Sequence, residues 1–204
     1  MTGKLIIFEG LDGSGKSTQI ILLKQYLINK LKCDPSQIIT TSAPSKTDVG
    51  IKLKNILIDE PNLNPVAQLL LFIADHSHHV ESLIKPALAE GKIVLCDRFI
   101  DSTIAYHEFG YEVDPRLIAR IPEFIRPILI NHVFYLDASV EMCMERMKSR
   151  EQDRLDKLGI DFYRRVKEGF DFLYQSPNNV SKINADRPMQ LVQKDIEIEI
   201  DKIF

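Results

Sequence analysis

The chain is 204 residues long, with 45% hydrophobic residues, 27% charged residues and a formal net charge of -3. That length fits one compact domain, and the balance of apolar and charged residues excludes a disordered chain. The slight acidic excess excludes a general polyanion-gripping surface, which needs surplus cations to displace counterions, but it leaves room for a few basic residues converging on one small anion.

The first apolar run, residues 5–8, ends at Glu9 and is too short for a signal-peptide core or a membrane span. It reads as a buried strand. Residues 16–32 place Ile20, Leu23, Leu27 and Leu31 at spacings of three or four, which predicts one buried helical face. Further β-rich runs fall at 37–41, 93–96 and 132–136, with a weaker one at 180–184. Short apolar runs alternating with longer amphipathic segments predict an α/β fold, a five-stranded parallel sheet with helices on both faces. Residues 65–90 read as a long helix, bent before Pro86 and stopped at Gly91, because Leu69, Phe72, Ile73, Val80 and Leu83 keep helical spacing. After the fourth strand Ser139 caps another helix, which runs into the charged stretch 148–157, where the periodicity breaks and a mobile, solvated segment is expected. Cys33, Cys96 and Cys143 form no CxxC pair, which argues against a zinc knuckle or a disulfide framework and for a reducing, cytoplasmic setting.

The strongest chemical signal is Gly10-Leu11-Asp12-Gly13-Ser14-Gly15-Lys16-Ser17, a GxxxxGK[ST] match lying between a predicted strand and a predicted helix. Glycines there let successive N–H groups face a phosphate at the positive end of the helix. Gly10, Asp12, Gly13, Ser14, Gly15, Lys16, Ser17 and Thr18 are therefore the expected ATP-binding residues. Lys16 would reach the β and γ phosphates, and Ser17 would offer its hydroxyl to Mg²⁺. Asn29-Lys30 is followed by Leu31-Lys32, so the guanine-reading NKxD sequence is missing, as is an LSGGQ-like signature; a small kinase leads over a GTPase or motor. Asp97-Arg98-Phe99 ends the third predicted strand, at the sheet edge where such folds form their ligand crevice. Asp97 suits Mg²⁺, held through water, and Arg98 suits a bridge between donor and acceptor phosphates.

With these motifs in place, the sequence resembles the thymidylate kinase family: FEGLDGSGKST at 8–18, LLFIAD at 70–75, DRFIDSTIAY at 97–106 and the lid-like DRLD at 153–156. The resemblance spans nearly the whole chain and implies one P-loop nucleoside monophosphate kinase domain over 1–204. It further implies phosphorylation of dTMP to dTDP by ATP with Mg²⁺, toward dTTP, and a homodimer with no nucleic-acid or membrane partner. It assigns Phe72 to stacking on the base, Tyr106 to closing off the ribose 2′ position, Ser102 to the vicinity of the base, and Asp12 to the acceptor sugar and phosphate. Glu9 is read as orienting neighbouring groups or water around the metal. Because the loop carries Ser14 rather than a basic residue, the catalytic cation is expected from the lid at about 146–157, with Arg150 and Arg154 chosen over Arg146 and a solvated helix face as the alternative. The catalytic set is then Lys16, Arg98, Arg150, Arg154 and Asp12.

The chain departs from the family's pattern in three places. Ser42-Ala43-Pro44-Ser45-Lys46-Thr47 lacks the acceptor-site Arg, and Lys46 is the candidate replacement as a point charge. His76 stands where the family has an Arg against the base edge, and His107 replaces a frequent Gln. His76, His78 and His79 are read as solvated or hydrogen-bonded rather than metal-binding. Two other readings stay open: a kinase for another nucleoside monophosphate, and a non-catalytic nucleotide-binding regulator.

Overall fold

The computed structural model describes residues 3–60, 62–125, 128–148, 158–175 and 178–204. Five strands, β1 Lys4–Glu9, β2 Ile38–Ser42, β3 Ile93–Asp97, β4 His132–Asp137 and β5 Val180–Asn184, lie in the order β2-β3-β1-β4-β5. All neighbours pair in parallel, with Phe8 opposite both Asp97 and Phe134. Each strand begins or ends within two residues of its expected position.

Alternation along β1 sends successive side chains to opposite faces. Ile6 and Phe8 join a core built with α1 (Lys16–Leu31), α8 (Val140–Lys148), α9 (Ile160–Leu173) and α10 (Met189–Ile200). Leu5 and Ile7 face the other way, into a core with α3 (Pro65–His79), α4 (Lys85–Ala89), α6 (Pro115–Ile118) and α7 (Ile121–Phe124). On α1 the expected stripe is buried at Ile20, Leu23 and Leu27, each contributing about 1.5–3 kcal/mol. Helix α2 (Asp48–Asp59) lies outside, against α3, and α5 (Ile100–Ile104) follows β3.

The predicted helix over 65–90 is helical through α3, a π-helical turn at Val80–Ile84, and α4. The widened turn falls just before Pro86, whose ring and missing N–H disrupt the regular ladder, and the Lys85 N–H bonds Val80 O. Gly91, at φ 76°, closes the run, its N–H on Leu88 O. A second π-helical turn, Ala105–Gly110, extends α5. Of the expected lid, residues 146–148 end α8; Arg150, Arg154 and the rest of the charged stretch through 157 lie outside the described residues.

Candidate active site

The loop between β1 and α1 turns through Gly10, Gly13 and Gly15, all at positive φ. At Gly13 a Cβ would stand 2.6 Å from Cys143 O, so only glycine fits both the backbone and the packing. Lys16 is folded over this loop, donating to Gly10 O (3.1 Å) and Leu11 O (2.7 Å), and burial and the Arg98 charge lower its pKa. Ser17 and Thr18 sit exposed at the helix start, and the Ser17 hydroxyl donates to Asp97 Oδ2 at 2.5 Å. The buried Ser14 Oγ has no hydrogen-bond partner among the described residues.

Parallel pairing of β1 with β3 brings the second motif beside the first. Arg98 N donates to Phe8 O, and Arg98 then turns into the left-handed region at φ 69°. Its guanidinium donates through Nη2 to Asp12 Oδ1 (2.8 Å) and the Tyr106 hydroxyl (3.0 Å), and through Nη1 to Ser102 Oγ (2.7 Å). The Tyr106 hydroxyl donates to Asp12 Oδ2 at 2.9 Å. Burial alone would raise the Asp12 pKa, but the charges of Arg98 and Lys16 outweigh it and hold the carboxyl well below its usual range. Under this cluster lies Glu9, fully buried, whose carboxylate accepts from Phe99 N (2.7 Å), Ser102 N (3.2 Å) and the Ser102 hydroxyl. Burial, with the Asp101 charge second, raises the Glu9 pKa to about 7.

The cluster forms one end of a cleft of about 260 Å³. Lys54, Leu57 and Ile58 of α2 close one side, Gln68 and Phe72 of α3 another, and Thr103, Tyr106 and His107 the wall opposite. Of the expected residues, Asp12, Phe72, Arg98, Ser102 and Tyr106 line it together.

Two expected acceptor contacts fall elsewhere. His76 is fully buried and does not line the cleft: its Nε2 is bonded to Thr103 Oγ1 at 2.9 Å, and its ring meets the Phe99 edge at 5.1 Å. Without the length of an arginine it stays in the core, and burial, with His79 and His107 nearby, lowers its pKa to about 3. Lys46 is exposed and also off the lining; the lysine on the cleft wall, which Arg98 also lines, is Lys54 of α2, a helix without an expected position. The reading also passed over Gln68 and Thr103, whose only signal was a polar residue within an apolar helical pattern. Arg146 reaches back from α8 to Gly13 O (3.2 Å) and Ala185 O (3.0 Å), tying the helix before the lid to the phosphate loop.

A sequence model of the family described as thymidylate kinase matches residues 8–196. The chain belongs to the thymidylate kinase family. It is 37% identical to a thymidylate kinase of Trichodesmium erythraeum over 97% of this chain and 94% of that protein, and 41% identical to one of Ehrlichia ruminantium over 81% and 79%. Among solved structures, a thymidylate kinase from Ehrlichia chaffeensis superposes with a TM-score of 0.80 at 30% identity, covering 98% of this chain and 100% of that one. Membership makes the chain a P-loop nucleoside monophosphate kinase.

Proposed function

We propose that the protein transfers the γ-phosphoryl group of ATP to dTMP, giving dTDP and ADP, within one domain spanning 1–204. The observation that carries this reading is Arg98: one guanidinium touches both the phosphate-loop carboxylate Asp12 and the wall of the acceptor cleft. A planar, permanently charged fork suits two phosphates brought in line for transfer. In that step an acceptor phosphate oxygen bonds to the γ phosphorus while the bond to the bridging oxygen breaks and its electron pair leaves on ADP.

This chain's groups supply positioning and charge. Lys16 exchanges its loop carbonyls for the donor's phosphate oxygens, and the exposed Ser17 hydroxyl and Asp97 carboxylate form an oxygen pair that fits Mg²⁺. When bound, Mg²⁺ neutralises charge on the donor's terminal phosphates. Arg150 and Arg154 bring the lid's cations.

Phe72 presents a flat apolar face to a base, and Tyr106 crowds the sugar. On the cleft wall, His107 Nδ1 meets Thr103 O at 2.9 Å and so carries the proton; burial lowers the pKa to about 4, leaving Nε2 a buried acceptor without a partner among the described residues. That polarity suits the N3–H of thymine or uracil better than the bare N3 of cytosine. The protein acts in the cytoplasm as a homodimer; among the described residues no helix is long and apolar enough to cross a membrane.

The test is Arg98→Ala in steady-state ADP release with dTMP. A kcat loss of about 10²-fold or more with ATP binding retained supports the reading; unchanged turnover removes Arg98 from it.

A further inference from the structure

Glu9 is a fully buried carboxylate at the end of the central strand, and among the described residues no cation forms an ion pair with it. All three of its partners are donors: Phe99 N–H, Ser102 N–H and the Ser102 hydroxyl. Since that hydroxyl gives its one proton to Glu9, its oxygen is left to accept from Arg98 Nη1. The donors therefore run in one direction, from Arg98 through Ser102 to Glu9. The same carboxylate gathers the backbone just past Arg98, where the chain adopts the left-handed φ of 69° that non-glycine residues avoid.

The two ends of the guanidinium differ in what holds them. Nη2 faces Asp12 and the Tyr106 hydroxyl on the cleft side, partners an incoming phosphate can replace. Nη1 is held by Ser102, which lines the cleft but is itself buried and spends its hydroxyl proton on Glu9, so this contact need not break when the cleft fills. We propose that Glu9 is a positioning residue for phosphoryl transfer, acting through Ser102 to pin one nitrogen of Arg98 so that the other can exchange Asp12 for the acceptor phosphate. A merely structural cap on the turn would not need a carboxyl at this depth, where burial opposes ionisation and Asp101, itself bonded to the Tyr174 hydroxyl at 2.7 Å, adds a like charge.

The proposal rests on the reading of Arg98 above, and the experiment separates the two. Glu9→Gln keeps the shape and one acceptor but meets the Ser102 hydroxyl with a changed polarity; Ser102→Ala removes the link and leaves Glu9 both backbone bonds. With ATP and dTMP, each variant is expected to lower kcat by about 10- to 100-fold while the KM for ATP holds, and the double variant to lose no more than the worse single one. Glu9→Asp, which keeps the carboxyl, should recover part of the loss. Multiplying losses in the double variant, or full kcat in Ser102→Ala, overturns the proposal; Ser102→Ala decides the case even if Glu9→Gln fails to fold. If Arg98→Ala itself retains turnover, the failure belongs to the underlying reading rather than to the role of Glu9.

Discussion

Acidification should destabilise the protein through three buried histidines. His76, His79 and His107 are at most 2% exposed, and burial leads in lowering each pKa, to about 3, 4 and 4. His76 and His79 share their Nε2 atoms with Thr103 and Thr41. Above pH 6.5 these rings are neutral whether folded or unfolded, and the fold keeps its full stability. As pH falls from 6.5 toward 4 the unfolded chain takes up protons that the folded one refuses, so stability falls by about 1.4 kcal/mol per unit for each ring. Between pH 7 and 5 that is roughly 2 kcal/mol each, or about 6 kcal/mol in all.

Glu9 works in the opposite sense. Its pKa is raised to about 7, so the folded state binds a proton first and gains roughly 2 kcal/mol over the same interval. The net expectation for these four groups is a loss of about 4 kcal/mol, a large share of a typical 5–15 kcal/mol stability. Urea unfolding at pH 7, 6 and 5 measures it, and histidine proton resonances followed from pH 8 to 5 assign it. A titration of His76 near pH 6.5 in the folded protein would refute the reasoning.

Gly50→Ala should cost about 2 kcal/mol or more in urea unfolding, because a Cβ there would stand 2.4 Å from Ser45 O and 2.6 Å from Asp75 Oδ1, in the bonded pair that holds the loop after β2. Phe72→Ala should raise the KM for dTMP at least about 10-fold and leave that for ATP unchanged, since it removes only an apolar face of the acceptor cleft; equal effects on both would move Phe72 out of the base site. Replacing Arg150 and Arg154 together by Ala should lower kcat by about 10³-fold while ATP binding by calorimetry persists, and unchanged turnover would return catalysis to Arg98 and Lys16.

The sheet was legible because a parallel strand buried on both faces must be apolar throughout, as residues 5–8 and 93–96 are. The phosphate loop was legible because glycine, lysine and serine there answer backbone geometry and phosphate chemistry together. Helix α2 escaped notice because much of its apolar face, including Ile51, Ile56 and Ile58, is exposed rather than aligned on a core. Lys54 was missed with it. Helix α9 was passed over although Phe162, Tyr163, Val166 and Phe170 recur at helical spacing on one buried face, with charges on the other. Position 76 exposes the limit of carrying over a role by place in the chain. A shorter side chain there found a threonine in the core, and the cleft wall is lined instead by Thr103 and His107, residues whose meeting no sequence spacing announces.

The central claim is transfer from ATP to a thymine monophosphate, and the most direct measurement is ADP release with ATP and Mg²⁺ against each acceptor in turn: dTMP, dUMP, dCMP, dGMP, dAMP and their ribose forms. The account predicts the highest kcat/KM with dTMP, reduced turnover with ribose acceptors crowded by Tyr106, and little with dCMP. Equal turnover of dCMP and dTMP, or release with no acceptor above the ATP-only background, would contradict it.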